Sequence, residues 1–354
     1  MRFLVITPSI SGKDGVSCLS RHLALALAEL ENDDDVAVWS LAGKNDSVTE
    51  LAHAGISVRG ARDGKARLVT WLVSCLATDC SDLTVVVMHA HLAPLSLPLH
   101  GRGVRVLQVL LGIEVWKPLT RLQARAFRMA ERLVCISAHS ERLFNDVNPG
   151  FDHTIVCHPG LPDRPRCGEC DDEGFALMVG RMASSERYKG HDVLLDVWPK
   201  ILDEAPHAKL VIVGGGDDRS RLIAKAKALG VSDAVGFTGT LPVEELGRLY
   251  RCSSFFVMPS VHEGFGLVFL EAMRAAKACI GGVGAASEII EHGTTGYIVD
   301  PSDHAALSRS IVELFVDPAR RAAMGQRGRE RFECHFTSAY FRERLREALS
   351  VAGD

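Results

Sequence analysis

The chain has 354 residues, of which 47% are hydrophobic and 24% are charged, and its formal net charge is -4. This length exceeds that of one ordinary domain and predicts two, and the composition is typical of globular proteins and excludes extensive disorder. A charge so close to neutral argues against nucleic acid as a partner.

Ten cysteines are scattered through mostly apolar segments, where a free cysteine behaves as a small hydrophobic residue, so we expect free thiols in a reducing cytosol. Cys167 and Cys170 stand close together, but no second pair follows at zinc spacing, and we expect no metal site. The apolar run at the N-terminus is too short for a signal peptide, and no segment is predicted to span a membrane. These patterns predict a cytoplasmic protein, either free or peripheral on the inner face of the cell membrane.

Short apolar segments alternate with helical patterns along the first half of the chain, which predicts a doubly wound, largely parallel sheet. Strands are predicted at 3–7, 36–41, 55–58, 84–89, 104–110 and 132–137, and helices at 17–30, 65–76, 120–130 and from 140 onward.

The second half repeats this plan after a stretch, 158–173, that is dense in Pro, Gly and charge. We therefore expect a first domain over 1–160, a linker over 161–173 and a second domain over 174–335. Strands are predicted at 175–179, 209–213, 235–238, 255–258, 278–281 and 297–299, and helices at 191–205, 220–229, 243–250, from 266, at 285–291 and from 303.

The stretch 255–276 carries the most informative pattern of the second half. An apolar strand breaks at Pro259, a polar loop containing Glu263 and two glycines follows, and a helix begins near Gly266. Such a loop points unpaired N–H groups and the positive end of a helix dipole at one place, which suits a phosphate. Glu271 lies about one turn into that helix, and either carboxylate could accept hydrogen bonds from a sugar diol. Solvated glutamates at a helix start are the alternative.

Glu263 and Glu271 are separated by seven residues, and this spacing resembles the E-x7-E signature of glycosyltransferase family 4, a family of retaining enzymes with the GT-B fold. The resemblance implies two Rossmann-like doubly wound domains facing each other across a cleft, with a C-terminal helix (336–354) returning to the first domain. It also implies that Glu271 binds the ribose of a nucleotide-sugar donor and that Glu263 contacts the transferred sugar. Backbone amides of Phe265, Gly266 and Leu267 would hold the sugar and its phosphate.

Arg181 and Lys189 flank the loop after the first strand of the second domain, and cations beside a helix start form a pocket for a diphosphate. Their segment resembles the phosphate-binding segment of the same family, although surface cations are the simpler alternative. In the first domain, the loop before the helix at 17–30 resembles the family's glycine loop. Asp14 replaces one glycine of its usual pair, so only Gly15 is carried over as a donor-binding residue, and ordinary turn glycines are the alternative.

The segment 110–116 resembles the family's His-Gly-x-Glu-x-Trp loop, with Glu114 retained and Leu111 in place of the histidine that would bond the donor sugar. Leucine neither donates nor accepts a hydrogen bond. His89 and His91, at the end of the preceding predicted strand, are candidate substitutes or partly buried strand-end histidines. We take His91, Leu111 and Glu114 as sugar-side or acceptor-side candidates.

Four arginines are spaced as one face of the predicted helix at 120–130 and its end. Such a stripe is typical of contact with anionic lipid head groups or a polyprenyl diphosphate, and solvated surface cations are the alternative. The four residues are Arg121, Arg125, Arg128 and Arg132.

The resemblance predicts a retaining transferase that moves a hexosyl unit from a UDP- or GDP-sugar to a saccharide or polyprenyl-linked acceptor in envelope or exopolysaccharide synthesis. Glu263, Lys189 and Arg181 would act at the reacting centre, with no metal or other cofactor. Three alternatives stand beside it: a binding protein disabled at Leu111, a nucleotide-sugar epimerase or hydrolase of the same fold, and a dinucleotide oxidoreductase. The last is disfavoured because the first loop lacks a Gly-x-Gly-x-x-Gly triplet, and the glycine cluster 214–216 stands alone.

Overall fold

The computed structural model describes residues 2–12, 14–30, 35–42, 48–60, 70, 80, 82–163 and 170–350. The chain forms two compact units. Unit 1 comprises Met1–Leu161 and Ser338–Asp354, and unit 2 comprises Pro162–Thr337.

Unit 1 is built on a parallel sheet of seven strands in the order β3-β2-β1-β4-β5-β6-β7. Its central strands are apolar on both faces because helices cover both sides, and all five residues of β4 are buried. The strand order reverses between β1 and β4, which pair in register from Arg2 with Leu83 to Ile6 with Val87. The strands are β1 (Arg2–Ser9), β2 (Asp35–Ala42), β3 (Ser57–Gly60), β4 (Leu83–Val87), β5 (Arg105–Leu110), β6 (Arg132–Cys135) and β7 (Thr154–Val156).

The last helix of the described chain, Ser338–Leu349, packs in unit 1 against the first helix, Gly15–Ala28. An ion pair between Arg342 and Glu29 joins the two helices at the surface. The predicted return of a C-terminal helix to the first domain is therefore confirmed. The other helices in the described part of unit 1 are Thr49–His53, Arg121–Met129 and Ala138–Val147, with 3-10 turns at Ala90–Ser96 and His100–Arg102.

Unit 2 contains a parallel sheet of six strands in the order β10-β9-β8-β11-β12-β13. Here the order reverses between β8 and β11, which pair at Phe255 with Ala176. The strands are β8 (Phe175–Val179), β9 (Lys209–Val213), β10 (Val235–Gly239), β11 (Phe255–Met258), β12 (Cys279–Gly282) and β13 (Gly296–Val299). The helices are His191–Glu204, Arg219–Ala228, Val243–Cys252, Leu267–Arg274, Ala286–Ile289, His304–Val316 and Pro318–His335, with a 3-10 turn at Ser184–Lys189.

The predicted doubly wound architecture is confirmed in both units. The third strand lies at Ser57–Gly60, two residues beyond its predicted start and end, and β7 was not predicted because it is three half-buried residues long. The predicted helix at 65–76 lies almost wholly outside the described residues. In the described part of the chain, no helix is both long and apolar enough to cross a membrane.

The prediction that all cysteines are free is wrong for one pair, because a disulfide joins Cys170 to Cys252 across 82 residues of sequence. The segment before β8 runs beside the end of the helix Val243–Cys252, where the Glu173 N–H donates to the Cys252 carbonyl at 2.9 Å. The Asp172 carboxylate accepts from the Ser254 hydroxyl at 2.6 Å in the same place. The spacing of cysteines in the sequence could not reveal that Cys170 and Cys252 meet. The cytosolic prediction assumed free thiols, and that assumption does not hold for these two residues.

The helix Pro318–His335 packs closely against the helix Leu267–Arg274. Two glycines of the helix Pro318–His335 lie at this contact. A Cβ on Gly325 would lie 2.1 Å from the Ala276 carbonyl oxygen, whereas a Cβ on Gly328 would meet its nearest atom, Met273 Cγ, at 3.4 Å. Only the first contact requires the backbone to move.

We predict that Gly325→Ala lowers the free energy of unfolding by about 2 kcal/mol or more, since overpacking outweighs the gain of up to about 1 kcal/mol in helix propensity. Gly328→Ala, on the same helix, should leave stability unchanged or raise it slightly. Urea unfolding followed by circular dichroism measures both. Equal effects of the two substitutions would contradict the close crossing at Gly325.

Candidate functional site

Two loops of unit 2 meet where its strand order reverses. One follows β8 and runs from Gly180 to Gly190, and the other follows β11 and runs from Pro259 to Gly266. A hydrogen bond of 3.0 Å from the Val261 N–H to the Tyr188 carbonyl joins them. Ligands of doubly wound sheets bind beyond the carboxyl ends of the strands at such a point, so these loops form the candidate site.

Two glycines allow the backbone of the loop after β11 to pack closely against its neighbours. Gly190 has φ 89°, and a Cβ there would lie 2.5 Å from the Pro259 carbonyl oxygen. A Cβ on Gly282, in β12, would lie 2.0 Å from the Ser260 carbonyl oxygen. The backbone of the loop after β11 therefore occupies the space that a side chain at position 190 or 282 would fill.

Lys189 and Glu263, one from each loop, form an ion pair in which Nζ lies 2.9 Å from Oε1. Their side chains are 17% and 16% exposed, so water screens the pair only weakly. Burial lowers the pKa of Lys189, but the Glu263 carboxylate more than offsets this and the pKa is raised overall. The Ser260 hydroxyl donates to the same carboxylate oxygen at 3.3 Å. Lys189 is therefore a firmly charged cation within the site.

Both helices that begin at these loops start on a glycine in the left-handed region, Gly190 for His191–Glu204 and Gly266 (φ 101°) for Leu267–Arg274. Among the described residues, no side chain caps either helix start. The first amides of a helix without a side-chain cap and its dipole attract an anion. The predicted loop residues Gly266 and Leu267 thus lie at one of these two helix starts, and Lys189 lies in the loop that leads to the other.

The glycine loop of unit 1 differs in this respect, since Asp14 caps the helix Gly15–Ala28. Its carboxylate accepts from the Ser17 N–H at 3.0 Å and from the Ser17 hydroxyl at 2.8 Å. The unusual Asp14 is explained as an N-cap, which the Asp-x-x-Ser spacing could have indicated. The start of this helix, with Gly15 as its first residue, already carries a negative charge.

Arg181 does not share a hydrogen bond with the Lys189–Glu263 pair. Its guanidinium instead pairs with Glu186 in the same loop, and its side chain is 57% exposed. Tyr188 lies near all four charges: burial raises the pKa of its phenol, Glu186 and Glu263 raise it further, and Lys189 and Arg181 lower it. Tyr188 was not singled out from the sequence because an isolated tyrosine in a polar loop carries no recognisable pattern.

Glu271 is half-buried on the helix Leu267–Arg274, on the side of Tyr250. Tyr250 is 4% exposed, and burial together with the Glu271 carboxylate raises the pKa of its phenol well above the ordinary value. The Tyr250 ring packs on Phe256 with centroids 5.9 Å apart. Glu271 therefore stands next to a buried phenol, a neighbour that its spacing from Glu263 did not predict.

His191, the first residue of its helix, is buried directly behind the Lys189 loop and is 3% exposed. A Cβ on Gly180 would lie 3.6 Å from its ring. Burial, with a smaller contribution from Lys189, lowers the pKa of His191 to about 4. The imidazole is therefore neutral near pH 7 and adds no charge to the site.

The glycine cluster 214–216 packs against the loop after β8 and serves its conformation. A Cβ on Gly214 would lie 2.0 Å from the Gly180 carbonyl oxygen, and one on Gly216 would lie 1.9 Å from the Met182 carbonyl oxygen. Asp217 accepts from the Ser184 N–H at 3.0 Å and from the Ser184 hydroxyl at 2.6 Å. These contacts account for the cluster without a dinucleotide.

In unit 1, Leu111 and Glu114 lie in one turn after β5. The Leu111 N–H donates to Glu114 Oε1 at 2.7 Å, and burial raises the pKa of Glu114 despite this and two further backbone hydrogen bonds. His91 is exposed and follows β4, with its ring 4.9 Å from that of His89. Glu114 thus stabilises the turn in which it lies by accepting backbone hydrogen bonds, and Leu111 offers no side-chain donor or acceptor.

The predicted arginine stripe is correct for three of its four members. Arg121, Arg125 and Arg128 are exposed on the helix Arg121–Met129. Arg132 was wrongly placed on that face, because the helix ends at Met129 and Arg132 begins β6, where it is half-buried. Helical spacing was extended three residues too far.

The two Rossmann-like units give the chain the GT-B architecture of glycosyltransferases. HepE of Anabaena, solved with UDP and glucose, matches with a TM-score of 0.80 over 99% of each chain at 17% identity. The pneumococcal O-GlcNAc transferase GtfA, solved with UDP and GlcNAc, matches with a TM-score of 0.80 over 100% of this chain and 99% of its own, at 12% identity. At such identities the likeness shows the fold.

Residues 163–331, which include both site loops, match the family model described as Glycosyl transferases group 1. A GDP-mannose-dependent phosphatidylinositol monomannoside mannosyltransferase of Mycolicibacterium smegmatis is 37% identical over 178 residues, which are 48% of this chain and 44% of the relative. A D-inositol 3-phosphate glycosyltransferase of Thermobispora bispora is 32% identical over 246 residues, 65% of this chain and 56% of the relative. The match thus spans about half of each relative.

The neutral state of His191 predicts a pH dependence of stability. The unfolded chain binds a proton at this histidine near its ordinary pKa, whereas the folded protein does so only near pH 4, so stability falls as the pH drops through this range. We expect His191→Asn to remove about 2 kcal/mol of the stability difference between pH 7 and pH 5.

Urea unfolding at the two pH values measures this difference. His207→Asn, at an exposed position of unit 2, is the matched control and should retain the wild-type dependence. An identical pH dependence in His191→Asn and the wild type would show that His191 is not held neutral.

Proposed function

We propose that this protein is a retaining glycosyltransferase that moves a hexosyl unit from a UDP- or GDP-sugar to a saccharide or polyprenyl-linked acceptor. The observation that carries the proposal is the buried Lys189–Glu263 pair beside two helix starts that no described side chain caps. This arrangement offers positive charge for a diphosphate and, within 2.9 Å of it, a carboxylate for sugar hydroxyls.

The relatives support the same class of substrate. The mycobacterial relative is named as dependent on GDP-mannose, and solved structures of the same fold are described with UDP or UDP-glucose. UDP- and GDP-sugars share the ribose and the diphosphate. We propose that Glu271 binds the ribose hydroxyls, because a carboxylate can accept both hydrogen bonds of a diol.

The proposed reaction depends on stabilising the departing nucleoside diphosphate. Lys189 would donate to it, the amides of Phe265, Gly266 and Leu267 would face it, and Arg181 would exchange Glu186 for it on binding. Glu263, released from Lys189, would accept from the sugar. The acceptor hydroxyl would attack on the face from which the diphosphate leaves, which retains the configuration. The new glycosidic bond forms as the bond to the diphosphate breaks, and the hydroxyl proton passes to the departing phosphate oxygen. No metal is invoked, because these groups supply the positive charge that the leaving group requires.

Removal of Lys189 tests this proposal. We expect Lys189→Ala to lower kcat by about 100-fold or more with a small change in donor affinity, since the charge acts mainly on the leaving group. Glu271→Ala should instead raise the Kd for the nucleotide by about tenfold or more. Release of nucleotide from UDP- and GDP-sugars and calorimetric binding measure the two effects.

Matched controls are Lys200→Ala and Glu244→Ala, at exposed positions of unit 2. Unchanged kinetics and binding in both Lys189→Ala and Glu271→Ala would overturn the donor site.

Leu111 favours a second candidate function, a protein that binds nucleotide sugar without transferring it. The leucine side chain cannot bond the sugar, and its own N–H is engaged by Glu114. Nucleotide binding without release of nucleotide, in the presence of any acceptor tried, would favour this candidate over the transferase.

We further propose that unit 1 contacts an anionic membrane surface during envelope or exopolysaccharide synthesis. Arg121, Arg125 and Arg128 share one exposed face, and the helix contains no acidic residue. Leu122 and Met129 lie beside them with 58% and 41% of their surface exposed. Exposed cations interleaved with apolar side chains are typical of helices that lie on lipid head groups.

We expect the triple substitution of Arg121, Arg125 and Arg128 by alanine to weaken sedimentation with vesicles containing phosphatidylglycerol by about 100-fold, since each basic residue near such a surface contributes about 1 kcal/mol. Substituting Arg59, Arg309 and Arg327, which are exposed elsewhere, removes the same charge and is the control. Equal losses of vesicle binding in the two triple variants would indicate a general effect of net charge and contradict the proposed membrane-binding face.

A further inference from the structure

His89 occupies the position in unit 1 that corresponds to the candidate site of unit 2. The strand order of unit 1 reverses between β1 and β4, and the Met88 N–H still donates to the Ile6 carbonyl at 2.9 Å just beyond β4. His89 is the next residue, so it lies at the carboxyl edge of the sheet beside the crevice where such sheets bind ligands. The proposed function so far gives this residue no part.

A hydrogen bond determines which nitrogen of the His89 ring carries the proton. His89 caps the 3-10 turn Ala90–Ser96, and its Nδ1 accepts from the His91 N–H at 3.2 Å. An acceptor nitrogen has no proton, so in the neutral ring the proton is on Nε2. Among the described residues, Nε2 has no hydrogen-bond partner, and the ring is half-buried rather than buried, so Nε2–H is left as a donor.

The ring is also uncharged. Burial, with smaller contributions from His91 and Lys117, lowers the pKa of His89 to about 4. A neutral N–H donor suits an uncharged oxygen such as a hydroxyl, whereas a phosphate is better matched by a cation such as Lys189.

The neighbouring loop supports this assignment. β4 and β5 pair with Val87 opposite Gln108, so the end of β5 and Leu111 lie beside His89 at the same sheet edge. Leu111 brings no polar side-chain atom, and Glu114 accepts from the Leu111 N–H. His89 thus places a side-chain donor next to the loop after β5, where Leu111 has no side-chain donor of its own.

We propose that His89 binds substrate at this edge of unit 1, donating its Nε2–H to a hydroxyl oxygen of a sugar and orienting that sugar for the reaction. The inference rests on the proposed glycosyltransferase function and assigns to it a sugar-binding residue in unit 1. The hydroxyl belongs either to the donor sugar or to a saccharide acceptor, and both sources present the same chemistry to the imidazole.

Two substitutions at His89 test the roles of its two ring nitrogens separately. His89→Asn keeps an oxygen near the Nδ1 position, which can still accept from the His91 N–H, but removes the group at Nε2. His89→Gln places an amide N–H near the Nε2 position. We expect His89→Asn to lower kcat/KM about 100-fold and His89→Gln to stay within about tenfold of the wild type.

The Kd for UDP or GDP should be unchanged in both variants, because unit 2 is intact. Thermal unfolding should be unchanged in His89→Asn and at most slightly lowered in His89→Gln, which leaves the His91 N–H without its side-chain acceptor. Wild-type activity in His89→Asn, or equal losses in the two variants, would overturn the proposal.

Long-range proton–nitrogen NMR of histidine-labelled protein tests the contact without turnover. The His89 signals, identified by their loss in His89→Asn, should show the Nε2–H tautomer at pH 7. They should shift with UDP-glucose or GDP-mannose but not with UDP or GDP alone if the donor sugar supplies the hydroxyl. A shift that requires a free saccharide added to the nucleotide complex would assign the hydroxyl to the acceptor.

These outcomes separate the role of His89 from the proposed glycosyltransferase function. Binding of nucleotide sugar with no shift of His89 under either condition overturns the role of His89 and leaves the proposed function standing. No binding of any nucleotide sugar overturns both.

Discussion

The ion pair between Lys189 and Glu263 is the interaction on which the candidate site depends. Removing one partner of a buried pair leaves an uncompensated charge, which typically costs about 3–5 kcal/mol, whereas a well-packed apolar pair often does as well or better. Stability alone therefore gives little reason to keep these two charges. In the proposed function, a bound diphosphate would compensate Lys189 and leave Glu263 to accept from a neighbouring hydroxyl, so the ion pair would be exchanged for contacts with the ligand.

The parts of the fold that could be predicted are those that a local pattern determines. β8, β9 and β11 have the predicted bounds because continuous apolar runs end at polar or glycine-bearing loops. The start of the helix at Leu267 follows from Gly266 in the same way. The candidate site could be located because its two loops follow directly on predicted strands and carry glycines and charged residues, and the carboxyl ends of parallel strands share one edge of the sheet.

The parts that could not be predicted depend on contacts between residues distant in sequence or on a choice of partner. Cys170 meets Cys252 only because the chain passes the end of a helix before entering β8. Arg181 and Lys189 are both cations of one loop, but only the tertiary structure determines that Lys189 pairs with Glu263 and Arg181 with Glu186. Composition likewise cannot reveal how burial shifts the pKa of a histidine.

Unit 1 is assembled from the beginning and the end of the described chain, whereas unit 2 is continuous in sequence. During synthesis, residues 2–161 therefore leave the ribosome long before the helix Ser338–Leu349 that covers the helix Gly15–Ala28. At about 5–20 residues per second, the interval amounts to about 9–35 s. That interval is the time needed to synthesise unit 2, and until it ends the helix Gly15–Ala28 lacks the neighbour that packs on it in the folded protein. The order of translation thus requires all of unit 2 to be synthesised before unit 1 can complete its packing.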